Sequence, residues 1–168
     1  MANSWDVQLN EEMGRYLGEE AKAQRVNVLL GPGVNMKRSP LCGRNFEYYS
    51  EDPLLSGKMA AAVTRGAQSE NVVVTIKHFA LNDQETNRFG VFTWCNEQAM
   101  RELYLKPFEI AVKEGEAYGI MSSLNRIGAQ WCGGSYALLT QLLREEWGFD
   151  GMVITCLLYT SDAADEAR

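Results

Sequence analysis

The sequence contains a single histidine and four cysteines among its 168 residues. The cysteines, Cys42, Cys95, Cys132 and Cys156, are widely separated and include no CxxC pair. With one histidine, they predict neither a zinc site nor the disulfide framework of a small secreted domain. We therefore expect free thiols and no bound metal.

The sequence also lacks long apolar runs and an excess of positive charge. No apolar stretch approaches the roughly 20 residues of a membrane-spanning helix, and the opening MANSWDVQLNEEMGRYLGEE lacks the layout of a signal peptide. The 16 basic and 22 acidic residues give a net charge of -6, opposite to the positive surfaces that bind phosphate backbones. We expect neither a nucleic-acid partner nor a membrane partner, and a cytoplasmic location is slightly favoured.

What the sequence does contain is a regular alternation of helix and strand patterns in an ordinary globular composition. Helices are predicted over residues 6–24, 54–68, 96–114 and 135–147, and strands over residues 26–30, 72–76, 119–122 and 152–155. Because each helix carries the chain back to start the next strand in the same direction, the alternation predicts parallel βα units. The fold class is therefore α/β.

About four βα units cannot close a barrel, which needs eight. The chain is either a small doubly wound domain or part of a TIM barrel, and periodicity leaves both open. The connections that leave the strand C-termini are long, over residues 31–52, 77–95 and 123–134, whereas those that return from helix to strand are short. In a parallel α/β protein, function is expected on such long loops.

Two polar segments on these loops could bind a ligand. Arg44 and Glu47 lie in the loop after the first strand, where a guanidinium and a carboxylate can grip vicinal sugar hydroxyls. They could equally pair with each other and fix the loop, and this segment alone leaves both possibilities open. Lys77 and His78 directly follow the second predicted strand, so both side chains should emerge at its C-terminal rim. A lone histidine is more often a structural residue, but the adjacent lysine favours a functional role.

Other segments predict structure or leave their role open. Residues 82–88 are dense in hydrogen-bonding groups, which suits polyol recognition or a subunit contact equally. Asp52, before Pro53, is expected to be a helix cap. The turn at residues 31–33 does not lead into a helix, so neither a dinucleotide motif nor a P-loop is present. With no G-x-S-x-G motif and no base beside the cysteines, serine or cysteine nucleophiles are disfavoured.

Four segments together closely resemble the N-terminal barrel of glycoside hydrolase family 3: GPGVNMKRSPLCGRNFEYYSEDP, IKHFALNDQETNR, MRELYLKPFEIAV and LLREEWGFDGMVIT. They occur in the family's order over about residues 2–155. The resemblance implies a partial (β/α)8 TIM-like barrel of about four βα units, truncated at both ends. It also implies a β-glucosidase-type enzyme that uses two carboxylates and retains the anomeric configuration, and it implies no cofactor.

The resemblance also implies which residues bind the sugar. Substrate binders are Arg44, Lys77 and His78, with Glu47, Glu85 and Met121 as possible further ones. The implied ligand is a β-linked glucoside or a related small saccharide, and the implied partners are the missing remainder of the barrel and a C-terminal domain. Because residues 80–85 replace a proline-glycine-rich loop that carries a histidine in one branch of the family, the acid/base is expected on that absent domain.

Two departures from the family pattern bear on catalysis. Leu124 stands where relatives usually have a tyrosine, which removes a hydroxyl and an aromatic wall. Cys156 stands where the family has the nucleophilic aspartate, and the ending CLLYTSDAADEAR, residues 156–168, matches no part of the family and resembles translated sequencing-adapter read-through. We expect this chain to be inactive alone. The alternatives are a non-catalytic carbohydrate-binding module with Cys156 in the nucleophile's place, or a small doubly wound nucleotide-binding domain.

Overall fold

The computed structural model describes residues 1–156, so the predicted non-family tail lies, apart from Cys156, outside the described residues. The helices are α1 Val7–Ala23, α2 Pro53–Gln68, α3 Glu97–Ala99 and α4 Lys106–Lys113, with π-helical segments at Met100–Tyr104 and Ala137–Glu146. The strands are β1 Val28–Leu29, β2 Val73–Phe79, β3 Phe92–Thr93, β4 Gly119–Ser122, β5 Arg126–Ile127, β6 Gln130–Trp131 and β7 Met152–Thr155. None of these helices is long and apolar enough to cross a membrane.

Side-chain caps start the first helices. Asp52 accepts a hydrogen bond from the backbone N–H of Leu55 at 2.7 Å, and Pro53 occupies the first helical position. The first backbone N–H groups of a helix have no partner within the helix, and Asp52 supplies one for Leu55, so the predicted cap is confirmed. The predicted helix over residues 96–114 is instead broken, because Pro107 has no N–H to donate and its ring would clash with the preceding turn. The chain there takes a π-helical turn, in which Leu105 N–H donates to Met100.

The main sheet is parallel and has the strand order β1-β2-β4-β7. The predicted α/β class and parallel sheet are thus confirmed. The order follows the sequence without reversal, whereas a doubly wound domain reverses its strand order at a switch point. The described sheet therefore has the topology of a barrel segment, and the doubly wound alternative is wrong.

The core between the sheet and the helices is anchored by aromatic rings. The ring of Phe79 at the end of β2 lies 5.1 Å from that of Phe108 on α4 and 5.7 Å from that of Trp147. All three side chains are buried. Such tilted aromatic pairs add to the burial of apolar area. Because Phe79 is fixed in the core, the chain immediately before it, Lys77 and His78, is held in place at the strand end.

A second, three-stranded sheet was not predicted. Its order is β3-β5-β6, with Phe92 paired to Arg126 and Arg126 paired to Trp131. These short strands lie in the connections after β2 and β4, which the sequence suggested were irregular loops. The small sheet ties the two connections together, so the ends of β2 and β4 carry an ordered structure.

Candidate functional site

The predicted ligand-binding residues meet at the C-terminal ends of the main strands. Lys77 on β2 lies opposite Met121 on β4, and Met121 lies opposite Ile154 on β7. Between Lys77 and Phe79 the register shifts by one residue, so His78 is an extra residue opposite β4. Bulges of this kind re-aim side chains and are frequent beside functional sites. Lys77 and His78 thus lie within β2, whose predicted end at residue 76 was placed too early.

The loop after β1 brings Arg44 and Glu47 to this strand end. Gly33 forms bridges with both Lys77 and Tyr48, which lays the loop alongside β2. A Cβ atom at Gly33 would lie 2.8 Å from Cδ1 of Tyr48, so this close approach requires glycine. The sequence alone could not place these segments together, because residues more than 30 positions apart make the contact.

Glu47 lies between two cations. Its Oε2 atom is 2.9 Å from Nζ of Lys77, and its Oε1 atom accepts a hydrogen bond from Nε of Arg44. Burial by itself raises the pKa of Glu47, but the hydrogen bonds from Lys77 and Arg44 outweigh it, and the pKa lies below its ordinary value. The pairing of Arg44 with Glu47, left open by the sequence, is what the structure adopts. It holds two cationic donors beside the strand end.

His78 is buried, which corrects the prediction that its side chain emerges at the rim. It is 2% exposed, and its backbone N–H and C=O are both bonded to the side-chain amide of Asn35, at 2.7 and 2.9 Å. Tyr48 covers the ring, with its hydroxyl 3.1 Å from Nδ1. Burial, and then the nearby cations Arg44 and Lys77, lower the pKa of His78 to about 2. The imidazole is therefore neutral at physiological pH, and among the described residues its Nε2 atom has no partner.

A chain of polar groups continues from Tyr48 into the segment over residues 82–88. Nδ2 of Asn82 donates to the Tyr48 hydroxyl at 3.0 Å and to Oε1 of Glu85 at 2.9 Å. Oε2 of Glu85 accepts a hydrogen bond from Arg88 at 2.7 Å. Glu85 therefore belongs to the shell behind His78. Asn35 and Tyr48 were missed by sequence reasoning, although Asn35 is a lone amide in the segment GPGVNM and that signal could have found it.

Beside this network is a cavity of about 570 Å³ that is lined by the loops after β1, β2 and β4. Its walls include Arg38, Asp83, Glu85 and Asn125. Burial raises the pKa of Asp83 to about 6, even though Arg38 and the backbone of Met36 favour its charged form. The cavity thus contains a carboxyl group that exchanges a proton in the mildly acidic range.

Residue 156, the position expected for the nucleophile, lies within the described part of the chain. Cys156 directly follows β7 and carries a half-buried free thiol at the same edge of the sheet as Lys77. Leu124 is buried after β4. Glu47 contacts Lys77, and Glu85 is linked to His78 through Asn82 and Tyr48; each of the two carboxylates is held by a cation. The arrangement can bind a polyol through charged donors and a neutral imidazole.

Comparisons with known proteins give one consistent result. A sequence model described as "Glycosyl hydrolase family 3 N terminal domain" matches residues 1–167. The chain is 48% identical to thermostable β-glucosidase B of Acetivibrio thermocellus, and the alignment covers 92% of this chain and 20% of the relative. Exo-α-(1→6)-L-arabinopyranosidase of Bifidobacterium longum is 45% identical, with the same two coverages.

The fold comparison agrees. The structure of β-glucosidase 3B from Thermotoga neapolitana, solved in complex with α-D-glucose, superimposes with a TM-score of 0.91 at 50% identity, over 92% of this chain and 22% of that one. The described sheet is therefore part of the barrel domain that these β-glucosidases share. The chain spans about one fifth of the length of the curated relatives it matches.

Proposed function

This chain belongs to glycoside hydrolase family 3, and we propose that it supplies the sugar-binding part of a retaining β-glycosidase whose substrates are β-glucosides. One observation carries the proposal: Arg44, Lys77 and His78 converge at the C-terminal ends of parallel barrel strands. Substrates of barrel enzymes bind at that face. The glucose in the Thermotoga neapolitana structure is consistent with this class of ligand.

The roles of the binding residues follow from their chemistry. Lys77 and Arg44 have only donors to offer, and Glu47 orients both through ion pairs. Such donors bind and orient the sugar through its oxygen lone pairs. As positive charge develops on the ring in the oxocarbenium-like transition state, the sugar hydroxyls become better donors, so the hydrogen bonds that they donate to acceptors are the ones that strengthen. Glu85 acts through Asn82 and Tyr48, and Met121 forms an apolar wall opposite Lys77.

We further propose that the chain as given carries neither catalytic carboxylate. In this proposal Cys156 occupies the nucleophile's position, and a C-terminal domain of the parent protein supplies the acid/base. Residues 156–168 are proposed to be foreign to the family. Resequencing the source DNA across codon 156 tests this: codons for aspartate and tryptophan would support it, and a confirmed cysteine codon would favour the carbohydrate-binding module instead.

The substrate class is tested in a full-length chimera. Residues 1–155 replace the matching segment of the Thermotoga neapolitana β-glucosidase, and the relative's own sequence continues from there. This chimera should hydrolyse a chromogenic β-glucoside. Lys77→Met should lower kcat/KM about 10- to 100-fold, as expected for loss of a charged hydrogen bond. Lys58→Met, in an exposed ion pair with Glu114, is the matched control and should leave kcat/KM unchanged.

A second candidate substrate is an α-L-arabinopyranoside, because the Bifidobacterium longum relative is nearly as similar as the β-glucosidases. The same chimera assayed with chromogenic α-L-arabinopyranoside separates the two. A kcat/KM higher than for the β-glucoside would reject the proposed specificity and keep the proposed site.

A further inference from the structure

The donor and the acceptor of each hydrogen bond in the network behind His78 can be assigned in turn, starting from Arg88. Arg88 can only donate and the Glu85 carboxylate can only accept, so the Asn82 atom that faces Glu85 must be its NH₂ group. The same NH₂ group lies 3.0 Å from the Tyr48 hydroxyl. The oxygen of Tyr48 therefore accepts a hydrogen bond from Asn82, and its own hydrogen must point elsewhere.

Two acceptors compete for the hydroxyl hydrogen of Tyr48. The backbone carbonyl of Asn82 lies 3.3 Å away and Nδ1 of His78 lies 3.1 Å away. Asn82 is 3% exposed, and among the described residues the Tyr48 hydroxyl alone can donate a hydrogen bond to the Asn82 carbonyl. Because a buried carbonyl without a donor is strongly disfavoured, the hydroxyl hydrogen belongs to that carbonyl. His78 must then donate from Nδ1 to the Tyr48 oxygen.

We infer that Tyr48, Asn82 and Glu85 are positioning residues that hold His78 as the neutral Nδ1–H tautomer, so that Nε2 is a bare acceptor for a ligand hydroxyl. With this assignment all three contacts of the Tyr48 hydroxyl are hydrogen bonds, whereas the other tautomer leaves the Asn82 carbonyl without one. Nε2 has no hydrogen-bond partner among the described residues, so in this tautomer its lone pair is left unpaired. Burial also raises the pKa of Tyr48, so its hydroxyl keeps its proton.

The ligand chemistry follows, and this step rests on the proposed sugar site. Lys77 and Arg44 are donors only, so they bind oxygen lone pairs. His78 Nε2 instead requires a ligand O–H that donates. A hydroxyl meets both demands because it accepts and donates, whereas an ether oxygen or a fluorine atom cannot donate. The site is thus built to select a free hydroxyl at the position that faces His78.

The single histidine of the chain makes the tautomer directly measurable. The 168-residue chain is labelled with ¹⁵N-histidine, and long-range ¹H–¹⁵N correlation spectra are recorded from about pH 4 to 8, on either side of the free-histidine pKa. Nε2 is identified by its couplings to both ring carbon-bound protons. We expect one neutral species throughout, with the proton on Nδ1. A ring that titrates near the free-histidine value, or that carries its proton on Nε2, would overturn the inference.

Two variants distinguish the positioning role of Tyr48 from a general effect of removing a tyrosine hydroxyl. Tyr48→Phe removes the acceptor for Nδ1–H and should turn the single tautomer into a mixture. Tyr49→Phe removes the neighbouring hydroxyl, which has no partner among the described residues, and should leave the histidine spectrum unchanged. A Tyr48→Phe spectrum identical to that of the parent chain would contradict the positioning role.

Addition of glucose distinguishes this inference from the proposed function. Binding should shift the ¹⁵N resonance of Nε2 and leave that of Nδ1 nearly unchanged. A shift confined to Nδ1 would overturn the assignment of Nε2 as the ligand acceptor. An Nδ1–H ring that does not respond to glucose at all would count against the sugar site, while the tautomer would stand because it is measured without ligand.

Discussion

Nζ of Lys77 lies 2.9 Å from Oε2 of Glu47, and this contact joins the loop after β1 to the C-terminal end of β2. The same carboxylate also binds Arg44, so one acidic side chain orients both cations of the proposed sugar site. Their side chains are 14–20% exposed, and such sheltered pairs are screened less by water than surface pairs. Glu47 therefore links the stability of the loop to the geometry of the site.

Glu47→Gln should destabilise the chain, because it leaves two sheltered cations without their counter-charge. We expect the free energy of unfolding, measured in urea, to fall by about 1–3 kcal/mol. Glu19→Gln breaks the exposed pair with Arg15 and should change it by less than about 0.5 kcal/mol. Equal effects of the two substitutions would contradict the special position of Glu47.

The effect of Glu47 should depend on pH in a defined direction. Its folded-state pKa lies below the ordinary 4.5, so its ionised form stabilises the fold above that value. The contribution is lost as the pH falls through the folded-state pKa. The difference in unfolding free energy between the parent chain and Glu47→Gln should therefore be constant near neutrality and shrink below about pH 4. A difference that grew on acidification would have the wrong sign.

Asp83 should have the opposite pH dependence. Burial raises its pKa from 3.8 to about 6 in the folded chain, so the folded state binds a proton that the unfolded state has released. Stability should fall as the pH rises between these two values. Asp83→Asn removes the cost of burying the charge, which is at most about 3 kcal/mol. In urea unfolding, Asp83→Asn should raise the free energy of unfolding more at pH 7 than at pH 4.

Gly33→Ala should disturb the contact between the loop and β2. The added methyl would meet Tyr48 at 2.8 Å, and overpacking of this kind costs about 1–3 kcal/mol. Gly43→Ala, in the same loop, meets only the Glu85 side chain at 3.8 Å and serves as the control. Thermal unfolding compares the stabilities of the two variants, and Gly33→Ala should unfold at the lower temperature. A Gly33→Ala variant as stable as the control would contradict the tight packing.

The fold was largely predictable from the sequence because its signals are local. The strands Gly119–Ser122 and Met152–Thr155 were placed correctly, since short β-branched and apolar runs between turn residues mark buried strands. The extension of β2 through Lys77 and His78 was not predictable. Two polar residues end an apolar pattern, and pairing with both β4 and the loop after β1 keeps the chain extended there.

For the candidate site, family motifs suggested Arg44, Lys77 and His78, and the segment GRNFE added Glu47. Their roles in ligand binding remain predictions, whereas the groups that hold them could not be predicted. Tyr48 was missed because its partners lie far along the chain, at His78 and Asn82. Burial of His78 was missed for the same reason, since distant residues supply the cover.

The central claim is that this chain holds a sugar site whose nucleophile position, Cys156, lacks a carboxylate. The chimera described above, extended to include Cys156, tests it by turnover of a chromogenic β-glucoside. Cys156→Asp should restore turnover by on the order of 10⁴-fold, the scale on which loss of a catalytic nucleophile acts. Equal turnover with cysteine and aspartate, or no turnover with aspartate in a folded chimera, would contradict the account.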